Sequence, residues 1–191
     1  MGYCLSTLFF KLKKYMACQV TSGRSLACKS AFGGIKAAYF FDLDALGALT
    51  YTTGEITAIA GTPTFYKYDL KGSSSLETTI TSSRDNGTTF YTQTLNMTLT
   101  YLDNATQQEV QLIAAGRPSV AVEDYYGNMF VCGLENGMEL TGGSIVTGTA
   151  AGDLSGFTLS LEGIEETAAP FITSTLVTDG TQGTQINPIA A

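Results

Sequence analysis

Four cysteines, Cys4, Cys18, Cys28 and Cys132, are the residues of this 191-residue chain best suited to hold a metal or form a crosslink. Cys18 and Cys28 sit beside basic residues, a Gly-Gly pair and an aromatic run in "KKYMACQVTSGRSLACKSAFGGIKAAYF", residues 13–40. A four-thiolate zinc site is normally assembled from two close pairs. No C-x-x-C spacing occurs here, and the chain has no histidine to complete a mixed site. The small-residue-then-cysteine pattern before Cys18 echoes a lipid-anchor signal, but such a signal places basic residues before its apolar core. Here "LSTLFF" precedes "KLKK". A Cys18–Cys28 disulfide would need an oxidising compartment, which nothing else in the sequence suggests. The stretch reads best as reduced cysteines in an N-terminal arm over 16–34, bent at Gly33-Gly34.

The other chemical candidates are weaker. Without histidine the chain lacks the commonest general base and every histidine-containing triad. The glycine-rich "TGGSIVTGTAAGD", 141–153, is not followed by Gly-Lys-Ser/Thr, so it reads as a mobile loop rather than a phosphate cradle. The pairs Asp42/Asp44 and Glu165/Glu166 are close in sequence, at strand ends, where carboxylates are usually solvated. Paired carboxylates do glycosidase chemistry only across a cleft. Asn86, Asn96 and Asn104 each begin an Asn-x-Thr triplet, which a threonine-rich chain produces by chance. Arg84-Asp85 sits at a turn tip and reads either as a locally bonded turn or as a charged pair that docks on a neighbour. No enzyme activity, cofactor or metal is expected.

The elements that position these residues are mostly strands. Charged residues make up 14 %, against the usual quarter, and threonine, aromatics and 21 glycines favour strands and turns over helices. The net charge of −7 argues against a protein that grips nucleic acid, though an acidic wall lets DNA slide past without sticking. No run reaches the roughly 18 apolar residues of a membrane helix. A buried strand ending in an acidic turn is expected at 34–43, and further strands at 55–60 and 64–70, with Phe65 facing away from Tyr66 and Tyr68. The clearest signal is a hairpin over 74–102, turning at "SRDNG", where Asn86-Gly87 suits a tight turn. Beyond the turn Tyr91, Leu95, Met97, Leu99 and Tyr101 share one face, with Gln93 the polar exception, and five threonine or asparagine residues share the other. That alternation marks a long, half-buried antiparallel strand.

One helix is expected within 102–118, at about 104–115, capped by Asp103 or Asn104. Gly116 is expected to take the left-handed terminal position, and Val110, Ile113 and Ala114 to form the apolar stripe. A second hairpin, 119–134, turns at "YYGN", and two further strands follow in 136–166. The expected fold is mainly β: an antiparallel β-sandwich or barrel of roughly eight strands with one flanking α-helix. Its boundaries are an extra N-terminal segment 1–15, the arm 16–34, a domain 35–175 and a flexible C-terminal tail 176–191. Met16, in "MACQV", reads as an alternative translation start.

The blocks "MAC" (16–18), "GGIKAAYF" (33–40), "FYKYDLKG" (65–72), "SSLETTITSSRDNGTTFY" (74–91), "GRP" (116–118) and "GGSIVTGTA" (142–150) together resemble a family of tail-tube or tail-ring structural proteins. These belong to tailed phages of Bacteroidetes and marine bacteria, crAss-like phages among them. The likeness spans about residues 16–172. It implies a β-sandwich or barrel with a flanking helix, assembling as hexameric rings that can stack. The type VI secretion tube protein has the same architecture. Inner strands of all subunits would form one barrel around a DNA channel, and a long hairpin, here 71–90, would reach the next ring. The residues expected at subunit interfaces are Cys18, Arg24, Lys71, Leu76, Arg84, Asp85, Asn86 and Phe90. The implied partners are other copies, other phage tail proteins and DNA in passive, sequence-independent passage, with no membrane. The implied location is the virion tail, after synthesis in the host bacterial cytoplasm. Two alternatives remain open: a head–tail connector or collar ring of a short-tailed phage, and a secreted carbohydrate-binding sandwich using Tyr125 and Tyr126.

Overall fold

The computed structural model describes residues 23–24, 32–70 and 72–178. The chain divides into two compact units, Met1–Ala31 and Phe32–Ala191. Of the first, only Gly23 and Arg24 are described, both exposed. The expectations for residues 1–15, for Cys4, Met16, Cys18 and Cys28, and for most of the arm 16–34 lie outside the described residues, as does Lys71.

The second unit is a β-sandwich. Its elements are β1 (Ile35–Phe41), a 3-10 turn (Leu43–Ala45), β2 (Leu49–Thr52), β3 (Glu55–Ile59), β4 (Tyr66–Asp69), β5 (Ser75–Ser83) and β6 (Thr88–Thr100). Then come α1 (Asn104–Ala115), β7 (Ser119–Asp124), β8 (Met129–Cys132), β9 (Glu139–Val146), β10 (Gly156–Glu165), β11 (Phe171–Ile172) and a short helix α2 (Thr175–Thr178). One sheet has seven strands in the order β2-β3-β11-β8-β7-β1-β4, and the other has four, β5-β6-β10-β9. The pairing is antiparallel except where β11 runs parallel to β3.

The seven-stranded sheet is buried on both faces, which is why β1 and β7 read as near-continuous apolar runs. On one face Ala38, Phe40, Val120 and Val122 meet the inward stripe of the small sheet: Leu95, Met97, Leu99, Phe157, Leu159 and Leu161. On the other, Ala37, Tyr39, Phe41 and Ala121, with Ile56 and Ile172 of the same sheet, cluster with Leu46, Phe65 and Val177. A bulge at Lys36 breaks the alternation and puts Ile35 on the first face beside Ala38 and Phe40. Phe65 and Tyr68 lie in different clusters, so the expected opposition of their faces holds.

Several expectations are corrected. Eleven strands form where about eight were read; "LTYT" at 49–52 escaped notice because it is a short edge strand with no buried residue. Tyr101, assigned to the inward stripe, has φ of 78° and is 76 % exposed, because β6 ends at Thr100. Asp103 does cap α1, accepting a hydrogen bond from Thr106 N at 2.6 Å, but Ala114 is exposed and only Val110 and Ile113 are buried. Gly116 is extended rather than left-handed, with φ −105° and ψ −174°. Leu176–Thr178, assigned to a flexible tail, form part of α2, and Val177 is fully buried. The loop 141–153 is not a mobile glycine run. Its first half belongs to β9, and Asp153 Oδ2 accepts from Thr149 N, Thr149 Oγ1 and Ala150 N at 2.7–2.9 Å.

Candidate assembly surfaces

The four-stranded sheet is the part of the unit whose faces differ most. Its inner face is apolar, and cross-strand rows such as Leu76–Leu95–Leu161–Leu140 run straight across it. Its outer face is mostly hydroxyl and acidic side chains, with Ile164, Phe90 and Val146 as apolar exceptions. One outer row is Glu77–Thr94–Glu162–Glu139, and another is Thr98–Thr158–Ser144. Ser144 and Thr158 share a hydrogen bond at 2.7 Å, and Arg117 pairs with Glu139 at one end of the acidic row. Apart from Arg117 beside Glu139, no lysine or arginine stands on these rows. Period-two alternation forces this division, because one residue in two must leave the core.

The edges of the two sheets are also unlike. The seven-stranded sheet ends in strands of four residues each, β2 and β4, and β4 carries Lys67, ion-paired with Asp69. Short, charged edges are how soluble proteins avoid unwanted pairing. The four-stranded sheet ends in β5, "SLETTITSS", of nine residues, and β9, "ELTGGSIV", of eight, neither with proline, lysine or arginine. Among the described residues neither has a strand on its outer side, though α1 lies near β9. Because four is an even number in an antiparallel sheet, β5 and β9 run in opposite directions.

The β5–β6 hairpin also outruns the core. β10 ends opposite Tyr91, so residues 81–90 form a two-stranded projection. Ile80 points to the core side of the sheet yet is 63 % exposed, because nothing covers it there. The turn at the tip is closed by Gly87 at φ 64° and by Asn86 N donating to Ser83 Oγ at 3.3 Å.

The structure brings Arg84, Asp85 and Asn86 together at this tip, all exposed, with Phe90 half-buried on the outer face opposite Thr81. Arg84 and Asp85 take part in none of the three ion pairs found among the described residues. Leu76 is not with them. It lies near the far end of β5, eight residues or roughly 26 Å of strand away, packed against the core. Arg24 is exposed and belongs to the first unit; Cys18 and Lys71 lie outside the described residues. The acidic row was missed, although Glu77 and Glu162 each fall on the polar positions of an alternating strand and could have been read there.

The titratable groups inside the sandwich hold structure together. Glu165, expected to be solvated, is 3 % exposed and accepts backbone hydrogen bonds from Glu135 N and Asn136 N at 3.0–3.2 Å. Burial, with the Glu165 charge adding, pushes the Cys132 thiol up to about 12, so Cys132 is a protonated core side chain. Burial likewise pushes the Tyr68 hydroxyl up to about 12. Glu123 accepts from Lys36 Nζ at 2.5 Å and from Tyr39 at 3.0 Å; that bond raises the lysine, and burial raises the tyrosine. Tyr125 and Tyr126 are both exposed, and Tyr125 packs edge-on against Phe32 with ring centroids 5.3 Å apart. Among the described residues no group of three or more His, Cys, Asp or Glu side chains is placed to hold a metal ion, and no helix is long and apolar enough to cross a membrane.

Comparison with protein-family models, with curated proteins and with solved structures gave no match.

Proposed function

We propose that the chain is a virion structural protein, a subunit of a phage tail tube whose copies join edge to edge into hexameric rings around a DNA channel. The observation that carries this reading is the four-stranded sheet with two long, oppositely directed edges that no described strand pairs, although α1 lies near β9. Rotation about a ring axis preserves strand direction. The β9 of one copy therefore meets the β5 of the next antiparallel, and every copy adds four strands to one uninterrupted barrel with no edge left. Six copies contribute twenty-four strands, which at about 4.8 Å spacing enclose a wall of roughly 37 Å diameter, wide enough for a DNA duplex between the inward side chains.

The hydroxyl-rich, acidic outer face of the sheet is the natural channel lining. Carboxylates facing the phosphates repel them, so DNA passes without being held. The seven-stranded sheet, with its short guarded edges, faces away from the channel, and the β5–β6 tip is free to reach a stacked ring. The role is passive conduction of DNA during ejection, without catalysis.

Electron microscopy of the purified protein, with mass photometry alongside, tests the reading. Six-fold rings or stacked tubes are the expected result. Rings of another symmetry would move the assignment to a connector or collar. A monomer of about 20 kDa that persists even with added tail-initiating proteins would overturn it.

A further inference from the structure

We infer that Ile145 at the β9 edge of one copy inserts into an apolar hollow beside the β5 edge of the next copy, as a knob that sets the register of the joined sheets. The inference rests on the ring reading above and adds to it the contact that fixes how the edges meet.

The knob is an anomaly of the sheet. Ile145 pairs with Phe157, which is almost fully buried, and so points to the core-facing side. It is nevertheless 55 % exposed, on the last strand of its sheet, which among the described elements only α1 approaches from beyond the sheet. A large aliphatic side chain on the core side of an unpaired edge buries its surface only if another strand extends the sheet.

The hole lies at the opposite edge. A hollow of about 500 Å³ opens where β5 overhangs the large sheet, lined by Ile35, Leu76, Val122, Phe130 and Ala169, with Ser74 beside them. Leu76 and Ser74 are on the core-facing side of β5 and its approach, the same side as Ile145 on β9. Joining β9 to a neighbouring β5 keeps these sides in common, so Ile145 is directed at the hollow and not at the channel.

The heights along the strands also agree. The row of Ile145 runs through Phe157 to Leu99. Next to Leu99, Thr98 Oγ1 donates to Ser73 O and Thr98 N donates to Ser74 Oγ, both at 3.3 Å. The row therefore reaches the β5 edge within about two residues of the hollow, and a slip of two residues preserves which side each residue faces.

Two variants in a background with Cys4, Cys18 and Cys28 changed to Ser test the contact. One chain carries Ile145→Cys, and the other carries Leu76→Cys or, as the milder change, Ser74→Cys. Mild oxidation is expected to give a disulfide dimer only when the two chains are mixed. Separately, Ile145→Asp is expected to raise the concentration at half-assembly about tenfold or more while leaving the melting temperature of the monomer unchanged. Rings that form normally with Ile145→Asp and give no mixed disulfide would overturn the contact and leave the ring reading standing. A wild-type chain that does not assemble, together with cysteine variants that give no mixed disulfide, would overturn both.

Discussion

Gln93 on the small sheet binds Gly133 of the large one: Gly133 N donates to Gln93 Oε1 at 3.0 Å, and Gln93 Nε2 donates to Thr167 O at 3.3 Å. Gln93 is 2 % exposed in an otherwise apolar stripe, and both ends of its amide are satisfied. Replacing it with Leu keeps the volume but leaves the buried Gly133 N–H unpaired, at a cost of about 1–3 kcal/mol, while the carbonyl of exposed Thr167 can turn to water. Gln93→Leu is expected to lower the melting temperature by roughly 5–15 °C, measured by circular dichroism. An unchanged melting temperature would mean that water replaces the amide without loss.

The alkaline limit of stability follows from the buried acids that stay protonated. Cys132 and Tyr68 are each pushed up to about 12, and Tyr39 is raised as well. In the unfolded chain such groups ionise near 8.5 for cysteine and near 10 for tyrosine. Above those values the unfolded state has lost protons that the native state keeps, so stability falls with rising pH. It is expected to be level from about pH 6 to 8 and to decline from about 9 toward 12, seen as a falling urea midpoint. Cys132→Ala should remove the first part of that decline, and a midpoint that rises above pH 9 would contradict the assignment.

The acidic outer row is a functional prediction rather than a stability one. Glu77 and Glu162 are solvent-facing members of a single cross-strand row, so reversing them should not disturb folding. Assembled rings of the unaltered chain are expected not to retain duplex DNA at about 50 mM salt. Rings of Glu77→Lys with Glu162→Lys are expected to retain it and to release it by about 200 mM, because phosphate contacts are salt-dependent. Equal retention by both would remove this face from the channel wall.

Gly156 opens β10 where the strand passes close to β6. A Cβ there would lie 2.0 Å from Leu99 O, a backbone atom that cannot swing away. Gly156→Ala is expected to destabilise by about 3 kcal/mol or more, beyond ordinary overpacking, and to lower the denaturant midpoint accordingly. Gly142→Ala on the neighbouring edge strand, where nothing lies within 4 Å, serves as the near-neutral control.

What the residues determine by themselves is local and periodic. Strict alternation from Tyr91 to Leu99 predicts β6 and its buried face, Asn86-Gly87 predicts its turn, and Asp103 predicts the start of α1; all three are found. These signals are legible because they depend only on neighbours along the chain. The apolar run of β1 marks it as a buried strand, but the double burial of β7 and β8 was not legible, because a strand covered on both faces loses the period that identifies its partners. Tyr101 and Val177 were misplaced for a related reason. Whether a residue is covered depends on where another strand stops or a distant turn packs. The candidate assembly surface is the extreme case. Glu77 and Glu139 lie far apart in sequence and share a row only through β6 and β10, and the exposure of Ile145 records a missing neighbour. Only the order of strands in the sheet shows which edges remain unpaired, because sheet order is set by contacts between segments remote in the chain.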